Sequence, residues 1–329
     1  MNEYVSLFKQ WLLNQSKTSS FCLLIFADPD ALASALAMRK LLRQRVQNVD
    51  ICYINEVTRP DNLAMIRYLR IPVQKWDPAQ AERYTHFGML DSQPTHHIDF
   101  SHYTYSLVVD HHPQEDISAY LAPDAYCAIR KNLGAASSIM AKLIRASGKR
   151  PGPLLATALL YGIRTDTGAF ERSGGEEDLS AYHWLSKYAN TTILRRISRS
   201  EYLRAWLPLF SRAFRSLRDC KANGAHASLN EVMNADLLVS IADFFTKIHG
   251  LRWIAVSGIV DKKVVVIFRG DGGRDMGQMA TECFASLGQG GGHKNLARAE
   301  FPVSAVPDGI RSADFVHQKL QSFHGTRST

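Results

Sequence analysis

The chain has 329 residues, 46% of them hydrophobic and 21% charged, which predicts a globular protein of two domains. A net charge of +8 favours polyanionic partners such as nucleic acid or nucleotides, although a solvated basic surface explains the charge equally well. The five cysteines are scattered without a CxxC pair, which argues against a disulfide framework and a thiolate zinc site. Residues 1–15 have the spacing of an amphipathic helix rather than a signal peptide, and no run approaches a membrane span, so we expect a cytoplasmic protein.

Apolar runs alternate with helical segments through the first half of the chain. Such alternation predicts an α/β domain with a mainly parallel, doubly wound sheet. The predicted strands are residues 21–26, 49–54, 86–90 and 105–110, and the predicted helices are residues 31–43, 61–69, 135–147, 154–163 and 179–188.

The second half of the chain begins with a basic helical segment that we interpret as a connector. Beyond it, two apolar runs around residues 261–263 predict a β-hairpin, and residues 275–287 predict a helix that leads into a glycine run. A smaller α/β domain with a mixed sheet is therefore expected. The predicted division is a first domain at 1–190, a helical connector at 191–221 and a second domain at 222–329.

Acidic and histidine side chains follow the predicted strands. An isolated Asp-His-His after a strand would equally fit a buried aspartate that caps a turn. Several strand ends in a parallel sheet, however, share one edge, where α/β proteins place their chemistry. Carboxylates with one or two imidazoles suit Mn²⁺ or Mg²⁺, and a pair of such ions promotes phosphoryl hydrolysis. The residues grouped in this way are Asp28, Asp30, Asp91, Asp110, His111, His112 and Asp166.

These residues belong to an ordered set of motifs that resembles the DHH phosphoesterase superfamily along nearly the whole chain. The size and two-domain layout look most like the nano-RNase (oligoribonuclease) and linear dinucleotide phosphodiesterase branch. RecJ exonucleases share the motifs but usually carry extra domains, and family-II inorganic pyrophosphatases end in a different second domain. The motifs are residues 28–34 (DPDALAS), Asp91, residues 110–112 (DHH), residues 162–168 (GIRTDTG) and residues 290–293 (GGGH).

The resemblance implies a role for each matched position. It makes the first domain a metal-binding DHH domain and the second a DHH-associated substrate domain. Asp110 is expected to orient the histidines, with direct ligation left open, and His112 to contact the scissile phosphate or protonate the leaving oxygen. The implied ligands of two Mn²⁺ or Mg²⁺ ions are Asp28, Asp30, Asp91, His111 and Asp166, with Asp91 as the bridge.

One position departs from the pattern of the nano-RNase branch. That branch has a histidine four residues before the first aspartate, where this chain has Leu24. Leucine cannot ligate a metal, so one of the two ion sites is expected to be weakened or lost. His96 and His97 are candidate substitutes, and an exposed turn is the alternative interpretation of this pair. RecJ-like members lack the histidine too.

The glycine run and a nearby arginine predict a phosphate-binding site. Bare glycine backbone lets peptide N–H groups approach a phosphate, and a guanidinium suits a terminal phosphate. A flexible loop and a surface arginine are the plainer alternatives. The residues concerned are Arg269, Gly290, Gly291, Gly292 and His293.

The favoured function is a Mn²⁺-dependent phosphodiesterase that releases mononucleotides from short RNA or linear dinucleotides held between the two domains. Alternatives are a 3′,5′-bisphosphate nucleotide phosphatase and a RecJ-like single-strand exonuclease. A further alternative, prompted by Leu24, is a catalytically impaired nucleotide-binding or regulatory protein. The expected partners are short RNA or DNA oligonucleotides or nucleotides, with no membrane, and a homodimer stays open.

Overall fold

A computed structural model gives the structure of the chain and describes residues 3–171, 174–200 and 202–323. The chain divides into two compact units, Met1–Glu201 and Tyr202–Thr329. Each unit has its own six-stranded sheet and its own hydrophobic core. Among the helices of the described residues, none has the length and apolar character that crossing a membrane requires.

The first unit is built on a sheet whose six strands all run parallel to their neighbours, as the sequence predicts. Its spatial order is β3-β2-β1-β4-β5-β6, so the direction of winding reverses between β1 and β4. A crevice forms outside the carboxyl ends of the strands at such a reversal, and ligands bind there in α/β proteins. The strands are β1 Ser20–Ile25, β2 Asn48–Tyr53, β3 Val73–Lys75, β4 His86–Leu90, β5 Tyr105–Asp110 and β6 Leu121–Ile129.

The two faces of this sheet are covered differently. One face packs against α-helices in a large apolar core. The other carries a smaller cluster that includes Leu24, Met89 and Phe100, covered by short 3₁₀ segments and loops. The helices are α1 Glu3–Leu13, α2 Pro29–Leu42, α3 Pro60–Leu69, α4 Ala136–Ala146, α5 Pro153–Asp166, α6 Glu176–Ser186 and α7 Thr191–Ser198.

Two strands of the first sheet are absent from the sequence prediction. β3 is three residues long, and β6 is an edge strand with Pro123 and several half-exposed side chains. An edge strand is solvated on one side and tolerates proline, so it lacks the continuous apolar run that marks a central parallel strand.

The second unit has a mixed sheet in the order β11-β12-β10-β9-β8-β7, as predicted. Among the strands of the described residues, only β8 and β9 pair in parallel. The predicted hairpin joins β9 to β10 through Asp261 and Lys262, whose φ angles of 46° and 64° suit the tight turns that follow strand twist. The strands are β7 Arg218–Cys220, β8 Gly224–Glu231, β9 Trp253–Val260, β10 Lys263–Gly270, β11 Gln289–Gly292 and β12 Leu296–Pro302; the helices are α8 Leu207–Arg215, α9 Ala235–Phe245, α10 Met276–Phe284 and α11 Ser312–Ser322.

The glycine run forms an edge strand rather than a loop. Gly290 and Gly292 lie in β11, which pairs with β12 and packs closely on α10. A Cβ atom on Gly290 would lie 2.5 Å from the carbonyl oxygen of Ala280 in that helix. Gly292 has a φ of 148°, which L side chains rarely adopt. Close helix–strand packing therefore gives these glycines a structural purpose besides any ligand.

Gly290→Ala is expected to lower the free energy of unfolding of the second unit by about 1–3 kcal/mol, because the new methyl group meets helix backbone that cannot rotate away. Gly291→Ala is the matched control. The nearest atom to its added Cβ is the Thr281 hydroxyl oxygen at 4.0 Å, so its expected change is within about 0.5 kcal/mol. Urea unfolding of the two variants measures the difference, and equal midpoints would contradict this account.

Candidate metal centre

Two aspartates follow the strands between which the winding of the sheet reverses. Asp28 follows β1 and caps α2, with its Oδ1 accepting a hydrogen bond from the Ala31 N–H at 2.9 Å. Asp91 follows β4, the strand that lies beside β1. The sheet reverses its direction of winding between these two neighbouring strands, so both carboxylates lie at the crevice.

Four residues bring potential ligand atoms to within 4.8 Å of one another: Asp30, Asp91, His111 and Asp166. The Nε2 atom of His111 lies 3.3 Å from Asp91 Oδ1 and 3.1 Å from Asp166 Oδ2. Three carboxylates with one imidazole form a donor set suited to Mn²⁺ or Mg²⁺. We call these four residues the metal group.

The orientation of the His111 ring leaves Nε2 available to bind a metal. Its Nδ1 lies 3.3 Å from the carbonyl oxygen of Leu133, so a proton on Nδ1 donates to that carbonyl and leaves a lone pair on Nε2. Both His111 Nε2 and Asp91 Oδ1 are buried, and within the described part of the chain neither has an aligned hydrogen-bond partner. Buried polar atoms are rarely left in this state, and a cation between them would satisfy both.

Asp91 adopts an unusual backbone conformation. Its φ is 61°, in the left-handed region, while only 6% of the residue is exposed. Its N–H donates to the Val109 carbonyl at 2.8 Å, which ties the turn to β5. Buried residues outside glycine rarely occupy this region, and they do so most often at functional sites.

The electrostatics of the group favour a cation. Burial, together with the charges of neighbouring carboxylates, raises the pKa values of Asp28 and Asp30 to about 6 and that of Asp91 well above its usual range. Burial opposes a charge on His111, but the carboxylates of Asp166 and Asp91 outweigh it and raise the His111 pKa to about 12. A bound cation would favour the ionised carboxylates and would displace the protons that these shifts favour, including the one on His111 Nε2.

Asp30 also holds two helices together. Its Oδ2 and Oδ1 accept hydrogen bonds from the N–H groups of Ala136, at 2.6 Å, and Ser137, at 2.8 Å, at the start of α4. A Cβ on Gly162 of α5 would lie 2.9 Å from Asp30 Oδ1. Glycine at that position therefore makes room for a carboxylate that is both a helix cap and a candidate ligand.

Asp166 reaches the site from a helix, and its assignment to a strand end is wrong. It is the last residue of α5, a helix buried along most of its length. The segment after residue 163 is polar, which suggests a loop in sequence, but the helix continues for one more turn. That extra turn carries the carboxylate to the edge of the sheet.

Leu24 lies in the apolar cluster of the other sheet face and is fully buried. Its cross-strand neighbours are Cys52 and Met89. Asp28 lies outside the metal group, and among the described residues no metal-competent group of three or more includes it. The position of the expected upstream histidine is thus part of the hydrophobic core.

Asp110 and His112 form a pair beside the metal group. Asp110 is fully buried; its Oδ1 lies 2.8 Å from His112 Nδ1, and its Oδ2 accepts from Gln93 Nε2 at 2.7 Å. Burial works against the charge, but the contacts with His112 and Gln93 hold the Asp110 pKa below its usual value. The His112 side chain is 43% exposed. Asp110 therefore orients an accessible imidazole.

Gln93 is a site residue that sequence reasoning missed. It is buried, and besides binding Asp110 it donates to the Pro113 carbonyl at 2.9 Å and accepts from the Glu115 N–H at 2.9 Å. These bonds brace the loop that follows Asp-His-His. The available signal is a polar residue two positions after the strand-end Asp91.

The two histidines considered as substitute ligands lie outside the metal group. His96 accepts from the Gln93 N–H at 3.2 Å, and its ring centroid lies 5.5 Å from that of His112. Two further groups of metal-competent atoms lie within 4.8 Å, namely His96, Asp110 and His112, and Asp91, His111 and His112. His97 caps a short 3₁₀ turn.

In the second unit, the structure brings Arg269 and the glycine-run turn to the same end of the sheet. The Gly270 N–H donates to the Asn295 carbonyl at 2.9 Å, which joins the end of β10 to the turn after β11. The His293 carbonyl accepts from the Gly277 N–H at 3.1 Å. Arg269 Nε already donates to Asp243 Oδ1 at 2.7 Å, so a phosphate there would share this guanidinium with a carboxylate.

Comparisons with known proteins agree with this architecture. The chain is similar to the crystal structure of an exopolyphosphatase-related protein from Bacteroides fragilis, with 17% identity and a TM-score of 0.75 over 97% of this chain and 95% of that one. It is similar to exonuclease RecJ bound to manganese, with 15% identity and a TM-score of 0.52 over 98% and 95% of the two chains. For RecJ from Thermus thermophilus in complex with Mn²⁺, the identity is 13% and the TM-score 0.51, over 97% of this chain and 53% of that one.

Sequence comparison identifies one curated relative, and the chain spans about half of that relative's length. An uncharacterized protein of Methanocaldococcus jannaschii is 30% identical over 277 residues, which are 84% of this chain and 56% of the relative. No protein-family model matches the chain. The structural likenesses establish the architecture: the chain shares the two-domain α/β fold of the exopolyphosphatase-related protein and of RecJ, which agrees at the level of the fold with the resemblance carried by its motifs.

Proposed function

We propose that the protein is a metal-dependent phosphodiesterase that hydrolyses short oligonucleotides or linear dinucleotides to mononucleotides. The observation that carries the proposal is the metal group at the reversal of the sheet, in which the buried Asp91 Oδ1 and His111 Nε2 atoms lie 3.3 Å apart without an aligned hydrogen-bond partner among the described residues. The manganese in a RecJ structure of the same fold supports Mn²⁺ as the cation, with Mg²⁺ as the alternative.

The cation would be held by Asp30, Asp91, His111 and Asp166, and when bound it polarises the phosphoryl group and makes a water nucleophilic. Asp28 lies next to the group and is proposed as a ligand of a second ion, at a site left with fewer protein ligands by Leu24. The number of ions follows from metal titration of the purified protein.

His112 is proposed to donate a proton to the oxygen that leaves phosphorus. It is accessible, and Asp110 accepts at Nδ1, so Nε2 is the ring nitrogen that would meet a substrate. The buried Asp110 carboxylate fixes the orientation of the His112 ring through its contact with Nδ1. Gln93 holds that carboxylate in place.

The second unit is proposed to bind a neighbouring phosphate through Arg269, His293 and the backbone of residues 290–292. The hydrogen bond from the Gly270 N–H to the Asn295 carbonyl, which holds the end of β10 beside the turn after β11, supports this role. Because Arg269 Nε donates to Asp243, a bound phosphate would share the guanidinium with that carboxylate. In this proposal residues 1–190 form the metal-binding domain, residues 191–221 a helical connector and residues 222–329 the substrate-binding domain.

The test is hydrolysis by the purified full chain, with Mn²⁺ added, of a labelled dinucleotide, a short RNA, single-stranded DNA and a 3′,5′-bisphosphate nucleotide. We expect mononucleotides from the dinucleotide and the short RNA, and no products once EDTA removes the metal. Faster release of phosphate from the bisphosphate would favour the phosphatase instead. Binding of nucleotides without turnover of any substrate would overturn the enzymatic proposal in favour of a regulatory protein.

A further inference from the structure

A row of aromatic rings continues from the DHH residues along the edge of the first sheet. The ring centroids of His111 and His112 are 4.5 Å apart, and those of His112 and His96 are 5.5 Å apart. The next residue, His97, lies with its ring 6.5 Å from that of Phe26. His96 and His97 are consecutive in the chain, so the two sets of ring contacts connect the end of β5, the segment after β4 and the end of β1, three strands that are adjacent in the sheet.

Phe26 stands out in this row by its exposure. It is 46% exposed although both chain neighbours, Ile25 and Ala27, are buried. It lies two residues before Asp28 and so occupies the same strand end as the candidate ligands. The rings of Phe26 and His97 are tilted by 51°, so the two side chains are adjacent without covering each other's faces.

The backbone that carries Phe26 is anchored. The Ala27 N–H donates to Asn55 Oδ1 at 2.6 Å, and the Ala27 carbonyl accepts from Asn62 Nδ2 at 3.2 Å. Asn62 is itself buried. An exposed phenyl ring on a fixed backbone loses little conformational freedom when a flat ligand covers it.

We propose that Phe26, flanked by His97, is a stacking surface for a nucleobase of the substrate. The inference rests on the proposed function and adds the part of the substrate that is recognised. Every base has a π-face, so stacking on a phenyl ring favours substrates that carry a base without selecting its sequence. A phosphate near His112 would place the attached nucleoside along the aromatic row. The site would thereby discriminate dinucleotides from inorganic polyphosphate and from base-free diesters.

The experiment compares a dinucleotide with its abasic analogue, two ribose units joined by the same phosphodiester, as substrates of the full chain with Mn²⁺. Phe26→Leu keeps apolar volume but removes the aromatic face, and Phe26→Tyr keeps the face. We expect Phe26→Leu to lower the ratio of kcat/KM for the dinucleotide to that for the abasic diester about tenfold, mainly through KM, and Phe26→Tyr to preserve it. An unchanged ratio in Phe26→Leu overturns the inference.

Two further measurements separate this inference from its premises. Leu13→Ala removes another exposed apolar side chain, at the last residue of α1, and should leave the ratio unchanged. If the wild type cuts neither diester, the proposed hydrolysis fails, and the inference is then judged by the fluorescence quenching of 2-aminopurine ribonucleoside monophosphate on binding. Quenching that is lost in Phe26→Leu and kept in Phe26→Tyr upholds the stacking surface; quenching that is absent or unaffected overturns it.

Discussion

We expect Asp91→Asn to lower kcat for dinucleotide hydrolysis about 1,000-fold, which corresponds to ~4 kcal/mol of lost transition-state stabilisation. Asparagine preserves the shape of the side chain and tolerates the left-handed backbone at this position, so the fold persists. What disappears is the negative charge at the centre of the metal group.

The same substitution is expected to stabilise the metal-free protein. Burial and the charges of Asp30 and Asp28 raise the pKa of Asp91, so ionising it near neutral pH costs the folded state free energy that a neutral amide avoids. The expected gain of about 1 kcal/mol corresponds to a rise in Tm of about 2–4 °C for a unit of this size. Added Mn²⁺ should raise the Tm of the wild type but not that of Asp91→Asn.

Thermal melts with and without Mn²⁺, together with steady-state kinetics, check both parts. Asp116→Asn is the control, because it removes an exposed carboxylate that follows the same DHH segment. Retention of the Mn²⁺-dependent Tm shift by Asp91→Asn would contradict the assignment of Asp91 to the metal group.

His112→Ala is expected to lower kcat for a dinucleotide about 100-fold or more, because the leaving ribose oxygen is expelled without a proton. The loss should shrink to about tenfold or less with a p-nitrophenyl ester of a nucleotide, whose leaving group departs without protonation. His112 lies outside the four-residue metal group, so the Mn²⁺-dependent Tm shift should persist. An equal loss on the two substrates would exclude a general-acid role.

Asp110→Asn provides the companion measurement. It keeps a side chain of the same shape beside Gln93 and His112 but removes the carboxylate charge that faces His112 Nδ1. The expected loss is about 10–100-fold, as for other partners that orient a functional histidine. If Asp110 acts through His112, the loss should shrink with the p-nitrophenyl ester, as it does for His112→Ala; an equal loss on the two substrates would show that Asp110 has a merely structural role.

Much of the fold follows from local patterns. Central strands such as β1 and β5 are buried on both sides and therefore appear in the sequence as continuous apolar runs. The two strands of the β9–β10 hairpin are also buried apolar runs, so the hairpin can be predicted from the sequence. The edge strand β6 is half exposed and carries a proline, so its sequence lacks the apolar run typical of a strand. It forms a strand because it pairs with β5 in the folded structure.

Some residues of the candidate site can likewise be predicted from local sequence, and others cannot. Asp28 lies three residues after the end of β1 and Asp91 directly follows β4, which places both at the carboxyl edge of a parallel sheet. Gln93 has no such pattern, since its importance comes from a contact with Asp110, 17 positions away. The glycine run suggests an open backbone in sequence, but packing on α10 turns it into an edge strand.

The alternating α/β architecture and the types of residue available for chemistry can be inferred from the sequence alone, because apolar periodicity and the residues that end each strand are local properties. Which of those residues meet depends on the tertiary structure. Asp30 binds the start of α4 across 106 positions, Asp166 arrives on a helix, and Leu24 is enclosed by the core. The physical reason is that a metal group requires several side chains within a few ångströms, and chain crossings over a parallel sheet set those distances.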